Sequence, residues 1–333
     1  MMSKILCGMP GYYEQYGVSA DQPLYLMMNL ETSCSMRCPK CALPGRARCG
    51  VGRALDLSER QRLLGLAAQA GFKALVIIGA GEPSENFPLM QRIVGKASEL
   101  GLDTILFSTA AKLDAEQAEF YATHRTTLIV SLDSMDPVNY CLLTGNGNLT
   151  KTLANIVLLR KAYAAHQDDD SVLRLGINTT VVRQNVHELA DIKRFASDDM
   201  LFVANAPIRR GKFAPENIWR LYIGSDEDYE ALVRLTAQAS DTGSHSSTFR
   251  GVCGYFSRGV ALDVDGTILS CGYASETAGT LGQSQDLIQS QDLLELNRSV
   301  QSRFRSFCRQ TGRVPSCPLR DPEVEEFIRN MRG

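Results

Sequence analysis

A chain of 333 residues that is 44% hydrophobic and 22% charged is long enough for one large α/β core with a smaller module appended, which excludes large-scale disorder as an expectation. A formal net charge of -2 without a dominant Lys/Arg block gives no basis for a nucleic-acid surface, so a small-molecule or peptide substrate is expected. The apolar runs Leu24–Leu30 and Ala74–Ile78 fall far short of the roughly 20 residues that span a bilayer, and Met1–Gly11 lacks a secretory pattern; no membrane partner and a cytoplasmic location are expected.

Residues 1–23 read as an N-terminal extension. From about Leu24 to Pro207, short aliphatic or β-branched runs alternate with amphipathic helical stretches, the pattern of repeated βα units around a parallel sheet. Six strands are predicted: Leu24–Glu31, Ala74–Ile78, Thr104–Ser108, Thr127–Leu132, Val172–Val182 and Leu201–Asn205. Between them, Ser58 with Gln61 and Asn185 with Glu188 read as capping boxes, and Gly71 and Gly101 stand where helix C-caps belong. Right-handed crossovers bring the C-terminal ends of parallel strands to one rim, where ligands of α/β folds bind. The loop bearing Cys34, Cys38 and Cys41 and the loop Gly79-Ala80-Gly81-Glu82-Pro83 therefore face one pocket. This first unit covers residues 24–213.

Residues 214–333 read as a second module: a charged connector, a helix near Asp226–Ala239, and a polar linker at Ser240–Thr248. Val260, Leu262 and Val264 then alternate into Asp265-Gly266, with Ile268 continuing, the signal of a tight β-hairpin. Cys253 precedes the hairpin and Cys271 ends it. Cys308 and Cys317 bound a predicted loop containing Gly312 and Pro315, ahead of a terminal helix near Glu323–Met331.

Ten cysteines in a chain expected in a reducing compartment point to metal binding or redox chemistry. The C-x3-C-x2-C spacing of Cys34, Cys38 and Cys41 brings three thiolates to one centre and leaves a fourth position open, as suits an iron–sulfur cluster. A zinc site completed by Cys49 is the alternative the spacing leaves open. For Cys253, Cys271, Cys308 and Cys317 the alternatives are a structural zinc or buried thiols.

Cys34-Ser35-Met36-Arg37-Cys38-Pro39-Lys40-Cys41 after the first strand, followed by Ala80-Gly81-Glu82-Pro83 after the second, resembles the radical S-adenosylmethionine superfamily over roughly Leu24–Arg210. One departure is Lys40, where the family usually has an aromatic residue. The resemblance implies a partial (βα)6 barrel, a [4Fe-4S] cluster on Cys34, Cys38 and Cys41, and S-adenosyl-L-methionine chelating its open iron. It further implies that Gly81 and Glu82 receive the cofactor's amino group and that Ser131 and Asp133 contact its ribose. Ser108 and Asn178 are further candidates for that pocket, although they equally suit satisfaction of strand-end backbone groups. The C-terminal half resembles the twitch domain, the shortened relative of the SPASM domain, which implies a second [4Fe-4S] cluster on Cys253, Cys271, Cys308 and Cys317. The fold class expected is thus α/β, a partial (βα)6 barrel with a small C-terminal β-hairpin/helix auxiliary-cluster domain.

The chemistry implied is one-electron cleavage of S-adenosyl-L-methionine, fed by a donor such as flavodoxin or ferredoxin, and hydrogen abstraction by a 5′-deoxyadenosyl radical. If the auxiliary cluster then accepts an electron while a base takes a proton, the outcome is a two-electron oxidation; if a thiol returns a hydrogen, it is epimerisation. Cys141, after the fourth strand, is the candidate thiol. Arg209, with Arg210 and Lys212 after the sixth strand, is a candidate contact for a substrate carboxylate or phosphate. The architecture resembles 2-deoxy-scyllo-inosamine dehydrogenase-like enzymes, although peptide epimerases and maturases share its modules. About 24 residues before the first strand are few for a leader-peptide recognition domain, which favours a small polar substrate, and the molybdenum-cofactor members carry a different C-terminal cluster pattern. A zinc or electron-transfer protein is the non-enzyme alternative; the Gly-Ala-Gly-Glu-Pro loop opposes it, since such a scaffold has no use for a carboxylate at the rim.

Overall fold

The computed structural model describes residues 6, 8–9, 12–13, 17–19, 22–30, 33–43, 54–78, 80–166, 173–241, 255, 258–273, 282–290, 292–313, 317–320 and 322–330. Its first six strands, β1 (Tyr25–Met28), β2 (Ala74–Ile77), β3 (Asp103–Ser108), β4 (Thr126–Ser131), β5 (Leu175–Thr180) and β6 (Leu201–Asn205), pair in parallel, each with its sequence neighbour. The connections carry α1 (Leu57–Gln69), α2 (Phe87–Glu99), α3 (Ala115–Thr123), α4 (Pro137–Thr144), α5 (Leu149–Ala165) and α6 (Leu189–Ala196). This is the expected α/β partial barrel, with its chemistry-bearing loops on the C-terminal rim.

Period-two alternation sorts the strand side chains into two cores. Leu26, Met28, Leu75, Ile77, Leu106, Leu128, Val130, Leu175 and Ile177 pack toward the helices. Met27, Val76, Ile105, Ile129, Leu201, Val203 and Ala261 form the opposite, concave core, closed by Leu6, Met9 and Tyr13 of the N-terminal extension. Tyr13 is anchored there by a 2.7 Å bond from its hydroxyl to Asp103 Oδ2.

The capping expectations need correction. The box that opens α1 is Asp56 with Glu59, each side chain accepting the other's backbone N–H at 2.8 Å; Asp56 has the extended backbone of an N-cap, whereas Ser58 is already inside the helix. Asn185 and Glu188 form no box: a single turn, Val186–Glu188, has no side-chain cap, and Glu188 reaches across to the loop after β4. Gly71 and Gly101 do end α1 and α2 with positive φ.

After β6, α7 (Glu216–Tyr222) and α8 (Asp226–Ala239) lead into the C-terminal module, and the linker beyond residue 241 lies outside the described residues. The hairpin forms as expected from β7 (Gly259–Leu262) and β8 (Thr267–Leu269), turning at Gly266, whose φ of +84° costs a glycine little. It does not stand apart: β7 pairs in parallel with β1, Met28 opposite Leu262. With β9 (Gly282–Gln283) the sheet reads β6-β5-β4-β3-β2-β1-β7-β8-β9. Covering the edge of β1 removes an unpaired strand and brings the end of the hairpin to the rim.

Then follow α9 (Ser284–Ser290), α10 (Leu293–Thr311) and α11 (Pro322–Arg329). Cys308 therefore sits in the last turn of α10, not in a loop. The helix keeps an apolar face through Phe304, Phe307 and Cys308 and stops only at Gly312, which takes the left-handed conformation.

Candidate active site

Cys34, Cys38 and Cys41 lie partly buried on one loop that neighbouring elements pin along its length. Glu85 accepts from Ser33 Oγ at 2.8 Å and from Ser35 N at 2.6 Å, and Ser33 O accepts from Glu82 N at 2.8 Å. The end of α4 grips the middle, with Arg37 N donating to Thr144 O at 2.9 Å and Asn146 Nδ2 to Ser35 O at 2.6 Å. Gly145 permits this approach: its φ is +79°, and a Cβ there would lie 2.6 Å from Arg37 O. At the far end, Lys212 N donates to Cys41 O at 3.0 Å, and Lys40 Nζ meets Asp133 Oδ2 at 2.6 Å.

Burial pushes the Cys34 thiol up to about 11, with Glu82, Glu85 and Cys41 acting in the same sense. It pushes Cys38 up to about 12, against a lowering pull from Lys40. Both thiols are therefore protonated at neutral pH, and metal uptake must expel protons. Among the described residues no three His, Cys, Asp or Glu side chains converge on a single-ion site, and Cys49 lies outside those residues. Three soft donors on one pinned loop, each within electrostatic reach of another, fit an iron–sulfur cluster by donor chemistry.

Beside them, the Glu82 carboxylate is 2% exposed and held from four directions. It accepts from Ser84 N (3.0 Å), Ser84 Oγ (2.7 Å) and Thr109 N (2.7 Å), and Ser108 Oγ makes a short bond to it. Ser108 thus orients Glu82. Gly81, next in chain, is partly exposed. Asp133, 5% exposed, takes Thr180 N on Oδ1 at 2.8 Å and Lys40 on Oδ2. Ser131 lies opposite Asn178 in register, and Asn178 Oδ1 accepts from Asn205 Nδ2 at 2.5 Å.

Sequence reasoning read Glu188 only as a helix cap and missed its role at the rim. It is 7% exposed and accepts from Ser134 Oγ (2.7 Å), Met135 N (2.6 Å), Asp136 N (3.1 Å) and Asn139 Nδ2 (2.6 Å). Burial acts to raise its carboxyl, but these donors outweigh burial and hold it below the usual carboxylate range. It fixes the segment that carries Asp133.

Continuing the concave-face alternation by one step reaches a ring of polar groups at the rim: Asn29 beyond Met27, Ser131 beyond Ile129, Asn205 beyond Val203 and Asp263 beyond Ala261. Asn29 was also missed. It is 2% exposed, and its Nδ2 donates at 3.2 Å both to Asp263 Oδ1 and to Gly272 O. These two acceptors fix the amide's orientation, and Asn29 Oδ1 has no partner among the described residues. Asn29 thereby ties β1 to the segment after Cys271. Cys271 in turn packs with Cys308 and Cys317 in one apolar cluster with Phe304, Phe307 and Leu319, so three of the four cysteines expected to hold a second cluster share one patch of core. Cys253 lies outside the described residues.

Two expected substrate residues sit differently. Cys141 is exposed on α4 beside Val138 and Leu142, also exposed, because that turn of the helix faces away from the core. Arg209 is committed locally: it makes a short ion pair with Glu216 and lies over the Trp219 ring at 5.7 Å. Among the described residues no helix is long and apolar enough to cross a membrane.

Against known proteins, residues 28–196 match the family described as the Radical SAM superfamily. A GTP 3′,8-cyclase of Tolumonas auensis is 27% identical over 50% of this chain and 47% of its own length, so the chain spans about half of that relative. A GTP 3′,8-cyclase of Pseudomonas savastanoi pv. phaseolicola is 25% identical over 74% of this chain and 78% of that protein. The crystal structure of Streptococcus suis SuiB bound to precursor peptide SuiA is 17% identical, covers 89% of this chain and 69% of that one, and has a TM-score of 0.60, a likeness of fold.

Proposed function

We propose, from the premise that this chain belongs to the radical SAM superfamily, that it oxidises a small polar substrate, of the sugar or aminocyclitol kind, by two electrons. When bound, a cluster on Cys34, Cys38 and Cys41, S-adenosyl-L-methionine, and an auxiliary cluster on Cys253, Cys271, Cys308 and Cys317 supply a 5′-deoxyadenosyl radical for hydrogen removal and a sink for the second electron. Gly81, Glu82, Ser131 and Asp133 are assigned to the methionine amino group and ribose, and a flavodoxin or ferredoxin is the reductant expected.

The chain's own residues must bind the substrate and take its proton. The observation that carries the reading is the Asn29–Asp263 pair, set on the concave rim and bonded directly to Gly272 beside Cys271. Asn29 Oδ1, without a partner among the described residues, suits a substrate hydroxyl or amine, since a buried acceptor without a donor costs about 1–3 kcal/mol. Asp263 is the carboxylate within that pair and the assigned proton acceptor. An epimerase would need a shielded thiol, and the exposure of Cys141 argues against it as hydrogen donor.

A nucleotide substrate, which the name of the curated relatives brings into question, would call for cations at the rim. Arg209, the candidate for that contact, is already neutralised by Glu216. The test is 5′-deoxyadenosine release by the anaerobically reconstituted chain with 2-deoxy-scyllo-inosamine, glucosamine, a short peptide or GTP. Release driven by an aminocyclitol or amino sugar, with a product lighter by two hydrogens, is the expected result. Release driven only by GTP or the peptide overturns the reading.

A further inference from the structure

Lys40 and Asp133 are joined at 2.6 Å, with side chains 6% and 8% exposed. Lys40 stands between the second and third cysteines of the loop, and Asp133 follows β4, so the pair ties the cysteine loop to the loop after β4. The other Asp133 oxygen is fixed by Thr180 N–H at 2.8 Å, while Glu82 is bound by Ser84, Ser108 and Thr109. Among the described residues, Lys40 pairs with Asp133 and with no other carboxylate. Lys40 is next to Cys41 and two residues from Cys38 in sequence, so both charges of the buried pair stand beside the cysteine loop. A phenylalanine at position 40 would offer no hydrogen-bond donor to a carboxylate and no charge to the loop.

We propose that Lys40 is a positioning residue: its ammonium fixes the Asp133 carboxylate on the adenosine side of the cofactor pocket, and the two charges together set the reduction potential of a cluster on Cys34, Cys38 and Cys41. This rests on reading that loop as a cluster site. Reduction adds negative charge to the cluster, so a nearby cation favours it and a nearby anion opposes it. Because the two groups carry opposite signs, deleting each one moves the potential in opposite directions. A merely structural tie has no such signature, since cutting it from either end loosens the same loop.

The experiment is an EPR-monitored redox titration of the reconstituted full chain, paired with equilibrium binding of S-adenosyl-L-methionine. Lys40→Met leaves the carboxylate alone and shifts the midpoint to more negative potential; Asp133→Asn leaves the ammonium alone and shifts it to more positive. The double variant returns toward the parent. Lys40→Met also weakens S-adenosyl-L-methionine binding roughly tenfold or more, the loss of one charge-assisted contact, and Lys40→Arg restores most of it. Shifts of the same sign, or none in variants with full iron content, overturn the proposal. If Lys40→Met does not fold, Asp133→Asn decides alone, since an unchanged or more negative midpoint refutes it. A parent chain that binds no iron would instead overturn the cluster reading beneath it.

Discussion

Glu188 gives the sharpest test of how the rim is held. Its carboxylate gathers two backbone N–H groups, Met135 and Asp136, with the Ser134 hydroxyl and the Asn139 amide, and it is 7% exposed. Each hydrogen bond to a charged acceptor is worth about 1.5–3 kcal/mol, but the four are not additive because they share one carboxylate. Glu188→Ala abandons two backbone donors at once, and its cost should be about 3–5 kcal/mol. Glu188→Gln keeps one acceptor oxygen and should lose about 1.5–3 kcal/mol.

Urea unfolding of the metal-free chain at pH 7 measures both losses. The pH dependence supplies an independent sign. A carboxyl held below its unfolded value of about 4.3 contributes fully above that pH and loses its contribution as pH falls through the folded value. The difference between parent and Glu188→Gln should therefore shrink below about pH 4. Since Glu188 supports the segment bearing Asp133, Glu188→Ala should also weaken S-adenosyl-L-methionine binding by the reconstituted chain. A Glu188→Ala loss below about 1 kcal/mol would refute the reasoning, because it would mean that water replaces the carboxylate at no cost.

Gly145→Ala combines a left-handed φ, costing about 1–2 kcal/mol, with a Cβ placed 2.6 Å from Arg37 O; lower stability and reduced iron uptake are expected by calorimetry and iron assay. Two clusters predict about eight irons per chain, and Cys308→Ala should leave about four; stoichiometric zinc in place of iron would contradict both sites. The metal-free chain should lose stability as pH rises from about 8.5 toward the raised thiol values: the unfolded thiols ionise first, while Cys34 and Cys38 hold their protons up to about 11 and about 12. Serine at both positions should flatten that decline in alkaline unfolding curves. Arg209→Ala should change stability by under about 1 kcal/mol, as for exposed pairs generally, and leave cofactor cleavage unchanged; a strong substrate-dependent defect would return Arg209 to the site.

What the sequence made legible were features carried by local pattern. β6 and α8 fall where periodicity places them, and the Asp265-Gly266 turn gives its hairpin, because each is decided within a few residues. The cysteine loop was legible for the same reason. Helix starts were less so: Asp56, Ser58, Glu59 and Gln61 offer two overlapping boxes, and only the backbone of Asp56, extended ahead of a helical Leu57, chooses between them. Cys308 followed a glycine-and-proline cue that in fact marks where α10 stops.

The residues left out share a different property, which is that their partners are remote in sequence and chosen by register. Asn29 meets Asp263 only because β7 runs parallel to β1 with Met28 opposite Leu262, and no local signal announces a hairpin that extends the barrel sheet from its first strand. Lys40 read as a departure at one motif position, yet its significance lies in an aspartate on another strand's loop. The same logic explains why cofactor residues are easier to name than substrate residues. The former are expected on loops with their own short motifs, while the polar ring at the concave rim draws Asn29, Ser131, Asn205 and Asp263 from the ends of four strands, β1, β4, β6 and β7, and exists only once the sheet has set their relative heights. A slip of one residue in β7 would turn Asp263 away from the concave face and bring Val264 or Leu262 to it. On the proposed reading, substrate preference would therefore be encoded in the β1–β7 register at least as much as in the identity of any rim residue.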